Sequence, residues 1–542
     1  MTDKKKVIVI GAGPNGLTAA AYLAKAGTEV VVVEKNTETG GGLVTEELAG
    51  FKMNYHATYM MLAEQMPPYT DLGLSERGVR FIRPERQASF LFSGKKSFTL
   101  FTDVKKSVES IKKLSPKDAA IAGKLFEDCK AMNDAFLIPA TYVPPLSPID
   151  QVEALNTSDA IGKRIGELGD LSPYEFLDSY QFSDPRVKAG FLYLISMFGL
   201  DPGEGGMAIL APLYIERFTQ NALVQGGSHQ FSSAMRRVIE DAGGSIVVNN
   251  AVTGLLGKGD RVSGVKLLDG TELFADVVVS TLTPEQNFVQ LPQGIAIDET
   301  LKETAQNWEW EKWSLFVSNT ALIGDQPLYE GYDKEVNDAL IVVMGYESAD
   351  DVLAHIEEVK TGKTTRIAGH GTITSLFDPM LVPNHVPHFT TSGGYHLLRW
   401  ECFAPYNDTW DKDGAAYGDR CFELWSRYAP NIKAGNIRAR VDWSPLDIEG
   451  HLPTMKKGSI KHGTYTTLQM GYNRPSPECS GYRTPIKGLY LAGASVHPGG
   501  MVIMGPGYNA ARVVAEDLGA SLWWDEPVMV KKAREKGYFG KV

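Results

Sequence analysis

The chain has 542 residues, 43% of them hydrophobic and 22% charged, which is enough for two or more lobes and excludes a disordered protein. Its formal net charge of −11 argues against nucleic acid, whose binding rests on clustered Lys and Arg. Four widely spaced cysteines (Cys129, Cys402, Cys421, Cys479) form no CxxC, so neither a disulfide framework nor a zinc site is expected, and no metal is assigned.

The first predicted element is "KVIVI", a continuous β-branched run suited to a strand buried in a parallel sheet. Gly11, Gly13 and Gly16 follow at G-x-G-x-x-G spacing, "LTAAAYLAKAG" reads as a helix stopped at Gly27, and "TEVVVVE" is a second strand ending at Glu34. In this order Gly11 allows the tight turn and Gly13 the close approach of a pyrophosphate, while Gly16 lets helix and strand pack. The helix N-terminus offers free N–H groups to phosphate. Glu34 stands where a carboxylate accepts bonds from ribose hydroxyls and would repel a 2′-phosphate. Gly11, Gly13, Pro14, Asn15, Gly16, Glu34 and Lys35 are therefore the expected dinucleotide contacts in this segment.

The segment "GGGLVTEELAGFKMNYHATY" begins at Gly40. Helix-like text follows from Asp103 to Phe136, then a Pro-rich connection, "IPATYVPPLSP". A middle block from Leu223 to Pro284 holds "AVTGL" and a β-rich continuation. Short β-like runs such as "LIVVM" and "YHLLRWECF" come next, suggesting a sheet flanked by helices. "GLYLAGASVHPGGMVIMGPGYNAARVVAEDLG" runs from Gly488 to Gly519. The tail pairs Trp523 and Trp524 with later basic residues; packing on its own protein or on a second copy is expected ahead of membrane-surface contact. No window of about 18 apolar residues occurs, and the apolar run after "MTDKKK" is too short for a signal-peptide core. A cytoplasmic location is expected, with peripheral membrane attachment left open.

NAD enzymes and flavoproteins share such an opening. The segments from Gly40, Leu223 and Gly488, in this order, resemble the phytoene desaturase-related flavoproteins of the amine-oxidase-like FAD superfamily. The run from Ser480 to Gly500, "SGYRTPIKGLYLAGASVHPGG", resembles the branch described as pyridine nucleotide-disulphide oxidoreductase domain 2-like. The resemblance implies FAD and an α/β fold: a discontinuous Rossmann-type FAD-binding lobe over 1–105, 220–290 and 478–520. It also implies an inserted α+β substrate lobe over 106–219 and 291–477, followed by a tail over 521–542. It places Gly41, Gly42 and Leu43 beside phosphate or ribityl, the Val252 backbone against adenine, and Gly493 and Ala494 beside the pyrophosphate and ribityl chain. His497, Gly500, Met501 and Val502 fall in the turn that approaches the flavin, and the helix starting near Gly505–Gly507 aims its N-terminus at the N1–C2=O edge. Many relatives have Asp where Ala494 stands and Arg where Leu43 stands.

Dehydrogenation needs a shaped pocket, a hydride donor over flavin N5 and often a base. His56 and Tyr59 are the first candidates for base or orienting donor, the other reading of His56 being a bond to flavin or backbone. His462, Tyr465 and Tyr472 are expected in the pocket roof or in the core, and Trp400 and Glu401 are weaker candidates. The expected reaction removes two hydrogens from adjacent carbons of an apolar or alicyclic substrate, with hydride passing to flavin N5. Its electron acceptor is left open among oxygen, quinone and another carrier. Amine-oxidase-like C–N oxidation, a flavin-dependent isomerase and a non-catalytic flavin-binding interaction protein are the alternatives. A homodimer is also left open.

Overall fold

The computed structural model describes residues 4–383 and 394–540. Its opening follows the sequence pattern: β1 (Lys6–Ile10) and β2 (Glu29–Val33) are joined by α1 (Pro14–Lys25). Four of the five β1 residues are buried, as a strand covered on both faces requires. β1 lies at the centre of a five-stranded sheet, between β2 and Val277–Ser280, with Ser245–Val247 and Leu489–Leu491 at the edges. Every pairing in it is parallel. Three distant stretches of chain thus build one sheet. A smaller four-stranded sheet contains Val252–Gly259, Arg261–Leu267, Glu272–Phe274 and Pro292–Ile295.

The largest sheet has seven strands, with Trp313–Gly324 and Gly394–Pro405 paired antiparallel along twelve register positions. "LIVVM" supplies Ile341–Met344 to it, and "YHLLRWECF" lies in Gly394–Pro405. Arg86–Phe92 and Lys96–Phe101 also join this sheet, Arg86–Phe92 running parallel to Ile341–Met344. A lobe boundary at 105 therefore falls past two strands that pair with the inserted sheet. Helices fill the stretch from Val104 to Phe218, beginning with Val104–Leu114 and Pro116–Met132. Ser115 ends the first and caps the second, and Pro116 takes the first turn, where its missing N–H costs nothing.

The tail folds back on the body. Trp523 stacks on Tyr22 and donates its indole N–H to the Tyr22 carbonyl at 3.0 Å, with the Lys25 ammonium 3.5 Å from the ring centre. Trp524 is buried, and Tyr538 donates to Asp159 at 2.5 Å. These tryptophans pack within the chain. No helix among the described residues is long and apolar enough to cross one.

Candidate active site

A cavity of about 340 Å³ runs from the glycine loop to the face of the seven-stranded sheet. Its first half is built from backbone. Gly11 sits at φ +93°, and a Cβ there would overlap the Thr281 side chain. A Cβ on Gly16 would overlap the Gly11 carbonyl. Across the cradle, a Cβ on Gly41 would come within 3.0 Å of the Gly13 Cα. Glu34 is buried; its Oε2 accepts from the Ala12 N–H at 2.7 Å and its Oε1 from the Asn36 N–H at 2.9 Å. The loop itself thus fixes the carboxylate at the end of β2. No side chain caps α1, so its first N–H groups are free for phosphate.

Pro14, Asn15, Lys35, Gly42, Val252, Gly493, Ala494, Gly500, Met501 and Val502 also line this cavity. Lys35 donates to the His451 carbonyl at 3.0 Å, and burial lowers its pKa. Met501, Val502 and Met504 all have positive φ, at 80°, 54° and 57°. That conformation is costly for a β-branched valine and is typical of backbone held for a ligand. It delivers the chain to the uncapped N-terminus of the helix Gly505–Leu518.

Three sequence expectations need correction. Leu43 is fully buried and turns into the core, away from the cavity. His497 bonds the Ala140 carbonyl through Nε2 at 2.9 Å and faces a second cavity, because its turn points the ring toward the helical insert. Tyr472 lines that second cavity as well, so it is no part of the roof over the first.

The far half of the first cavity is built from side chains. Met61, Phe198, Leu315 and Val317 give it carbon walls, and Tyr59, Arg399 and Glu401 give it polar atoms. Arg399 Nε donates to Glu401 Oε1 at 2.6 Å, and its two Nη atoms donate to the carbonyls of Asn54 and His56. Glu401 Oε2 lies 3.1 Å from His370 Nε2, and His370 Nδ1 lies 2.8 Å from the Tyr193 hydroxyl. The Tyr59 hydroxyl bonds Thr372 at 2.6 Å. Burial pushes the Glu401 pKa upward, but Arg399 and His370 outweigh it and hold the carboxylate at about 2. Burial, with Glu401 adding to it, raises the Tyr59 pKa, so its phenol stays neutral.

His56 and His462 both line the same cavity. His56 Nε2 lies 2.8 Å from His451 Nδ1. Burial, then His451 and Arg399, pull the His56 pKa down to about 3; burial and Arg474 pull that of His462 down to about 4. Both rings are neutral near pH 7.

Sequence reasoning missed Arg399, His370, Thr372 and His451. A signal existed for Arg399: in "LLRWECF", Arg399 and Glu401 point to the cavity while Trp400 and Cys402 belong to the core on the opposite face. Strand alternation would have grouped the pair.

Residues 9–72 match the NAD(P)-binding Rossmann-like domain family. The chain is 41% identical to one subunit of the limonene dehydrogenase of Castellaniella defragrans, over 98% of each chain. The chain belongs to the phytoene desaturase-related family of FAD-dependent oxidoreductases. A further relative in this family is the pyridine nucleotide-disulfide oxidoreductase domain-containing protein 2 of Rattus norvegicus, 29% identical over 94% of this chain and 93% of that one. The fold is that of the amine-oxidase-like enzymes: cyclohexylamine oxidase from Brevibacterium oxydans superposes with a TM-score of 0.58 at 17% identity, over 95% of this chain and 100% of that one. For this family member the glycine cradle, the buried Glu34 and the two free helix N-termini fit FAD, and the chain is an FAD-dependent oxidoreductase.

Proposed function

We propose that this chain removes two hydrogens from adjacent carbons of an apolar, alicyclic hydrocarbon, leaving a C=C bond. The carrying observation is that the cavity runs on from the cofactor cradle into carbon walls, while its charged groups neutralise each other. Arg399 and Glu401 form a closed pair, so the far half offers no free charge to an amine or an acid. The relative named for limonene supports a monoterpene-sized substrate.

FAD, when bound, supplies the hydride acceptor. The chain's own residues shape the pocket and manage the proton. Arg399 fixes the segment Asn54–His56 by bonding two of its carbonyls, so the cofactor cradle and the substrate end share one rigid joint. Met61, Phe198, Leu315 and Val317 exclude water and hold the hydrocarbon by shape. Among the described residues, His56 Nδ1 has no hydrogen-bond partner, and Nε2 is engaged by His451. His56 accepts the departing proton at Nδ1 as the proton on Nε2 passes to His451 Nδ1, toward solvent. With a pKa near 3 this base is weak, so the relay clears a proton and does not drive its removal.

The test is anaerobic bleaching of the flavin band in the purified holoenzyme by limonene, cyclohexene and putrescine. Bleaching by the cyclic hydrocarbons alone supports the reading. Bleaching by putrescine alone would make the chain a C–N oxidase.

A further inference from the structure

A second cavity, about 280 Å³, lies beside the first and shares Gly500 and Met501 with it. Its walls are mostly carbon, from Phe136, Leu137, Leu213 and Ile503 among others. One face is the helix Ala211–Phe218, which places Tyr214 and Arg217 three residues apart on the same side. Arg217 is only 6% exposed and Tyr214 2%. Among the described residues neither is satisfied: the Arg217 Nε and the Tyr214 hydroxyl have no hydrogen-bond partner. The neighbouring carboxylate is already committed, since Glu216 accepts from the Asn133 amide at 2.5 Å and lies 4.0 Å from Lys130. Among the described residues no acid forms an ion pair with Arg217.

An unpaired cation in a carbon-lined cavity is among the costliest arrangements a protein keeps. Arg474, the other deeply buried arginine near this turn, shows the ordinary solution, since it donates to the carbonyls of Lys461, Gln469 and Ala494. Arg217 lacks that solution and lines the second cavity. We infer that the second cavity binds an apolar monocarboxylic acid, with its carboxylate held by Arg217 and Tyr214 and its hydrocarbon body against Leu213 and Ile503. A planar two-oxygen anion matches one guanidinium fork and one phenol, whereas a phosphate would leave further oxygens unpaired. At about 30 Å³ for each water-sized unit, the volume holds on the order of ten heavy atoms.

The decisive measurement is calorimetric titration of the purified holoenzyme with decanoate and with decanol, which share a body and differ in charge. Decanoate should bind at least about tenfold more tightly. Arg217→Gln should erase that preference, Tyr214→Phe should reduce it, and Leu213→Trp, which fills the cavity, should abolish decanoate binding. Equal affinity for acid and alcohol, or a preference that survives Arg217→Gln or Leu213→Trp, overturns the inference. The wild-type comparison decides by itself if a variant fails to fold. Because heat is read and not turnover, the dehydrogenase reading stands or falls separately.

Discussion

The two ends of the first cavity are made of different material. The cofactor end is backbone: glycines that a single methyl group would jam, a helix start without a cap, and a carboxylate pinned by the loop's own N–H. The substrate end is side chains: Leu315, Val317, Arg399 and Glu401 from the distant strands Trp313–Gly324 and Gly394–Pro405, joined by Tyr59, Met61 and Phe198. Backbone recognition demands particular residues at fixed spacing, whereas carbon walls accept any residue of suitable volume. A cofactor is therefore announced in a sequence far more loudly than a substrate.

That contrast can be broken from either end. Gly16→Val should have the largest effect, because the new side chain overlaps the Gly11 carbonyl; purified protein should carry no flavin while the far strands still fold, as circular dichroism would report. At the other end, Arg399→Leu leaves the buried Glu401 with only His370 beside it, at a cost of about 3–5 kcal/mol in chemical denaturation. The Arg399→Leu/Glu401→Leu double variant should recover much of that loss.

Acid should find the substrate end next. His56 and His462 have folded pKa values near 3 and 4 against 6.5 unfolded. Below pH 6.5 the unfolded chain binds protons that the folded rings refuse, so stability falls as pH falls toward 4. By pH 5 the loss is about 2 kcal/mol for each ring, visible in melts compared with pH 7. Tyr59→Phe should be mildest: loss of the Thr372 bond removes about 1 kcal/mol of positioning, a several-fold drop in kcat/KM with flavin content unchanged.

The same contrast explains what the sequence made legible. Gly11, Gly13, Gly16, Glu34, Gly41, Gly42, Val252 and Gly493 all line the cavity, at the spacing a tight strand–turn–helix demands of its backbone. Leu43 failed because a position inferred from a relative's arginine says nothing about where a leucine turns. His497 and Tyr472 failed because proximity along the chain does not say which side of a turn faces which cavity. His370 and Thr372 gave no local signal at all. Their meaning depends on Gly369–Ile373 pairing with Gly394–Pro405, a long-range event.

The five-stranded sheet joins β1 and β2 to Ser245–Val247, Val277–Ser280 and Leu489–Leu491. During synthesis the glycine loop emerges long before Leu489–Leu491, the last strand of its sheet. Until that strand is made the ribosome displays a half-built cradle with apolar strand edges open, and such edges invite aggregation. The cradle is complete only once Leu489–Leu491 has been made, which ties the yield of folded protein to chaperone protection as well as to sequence.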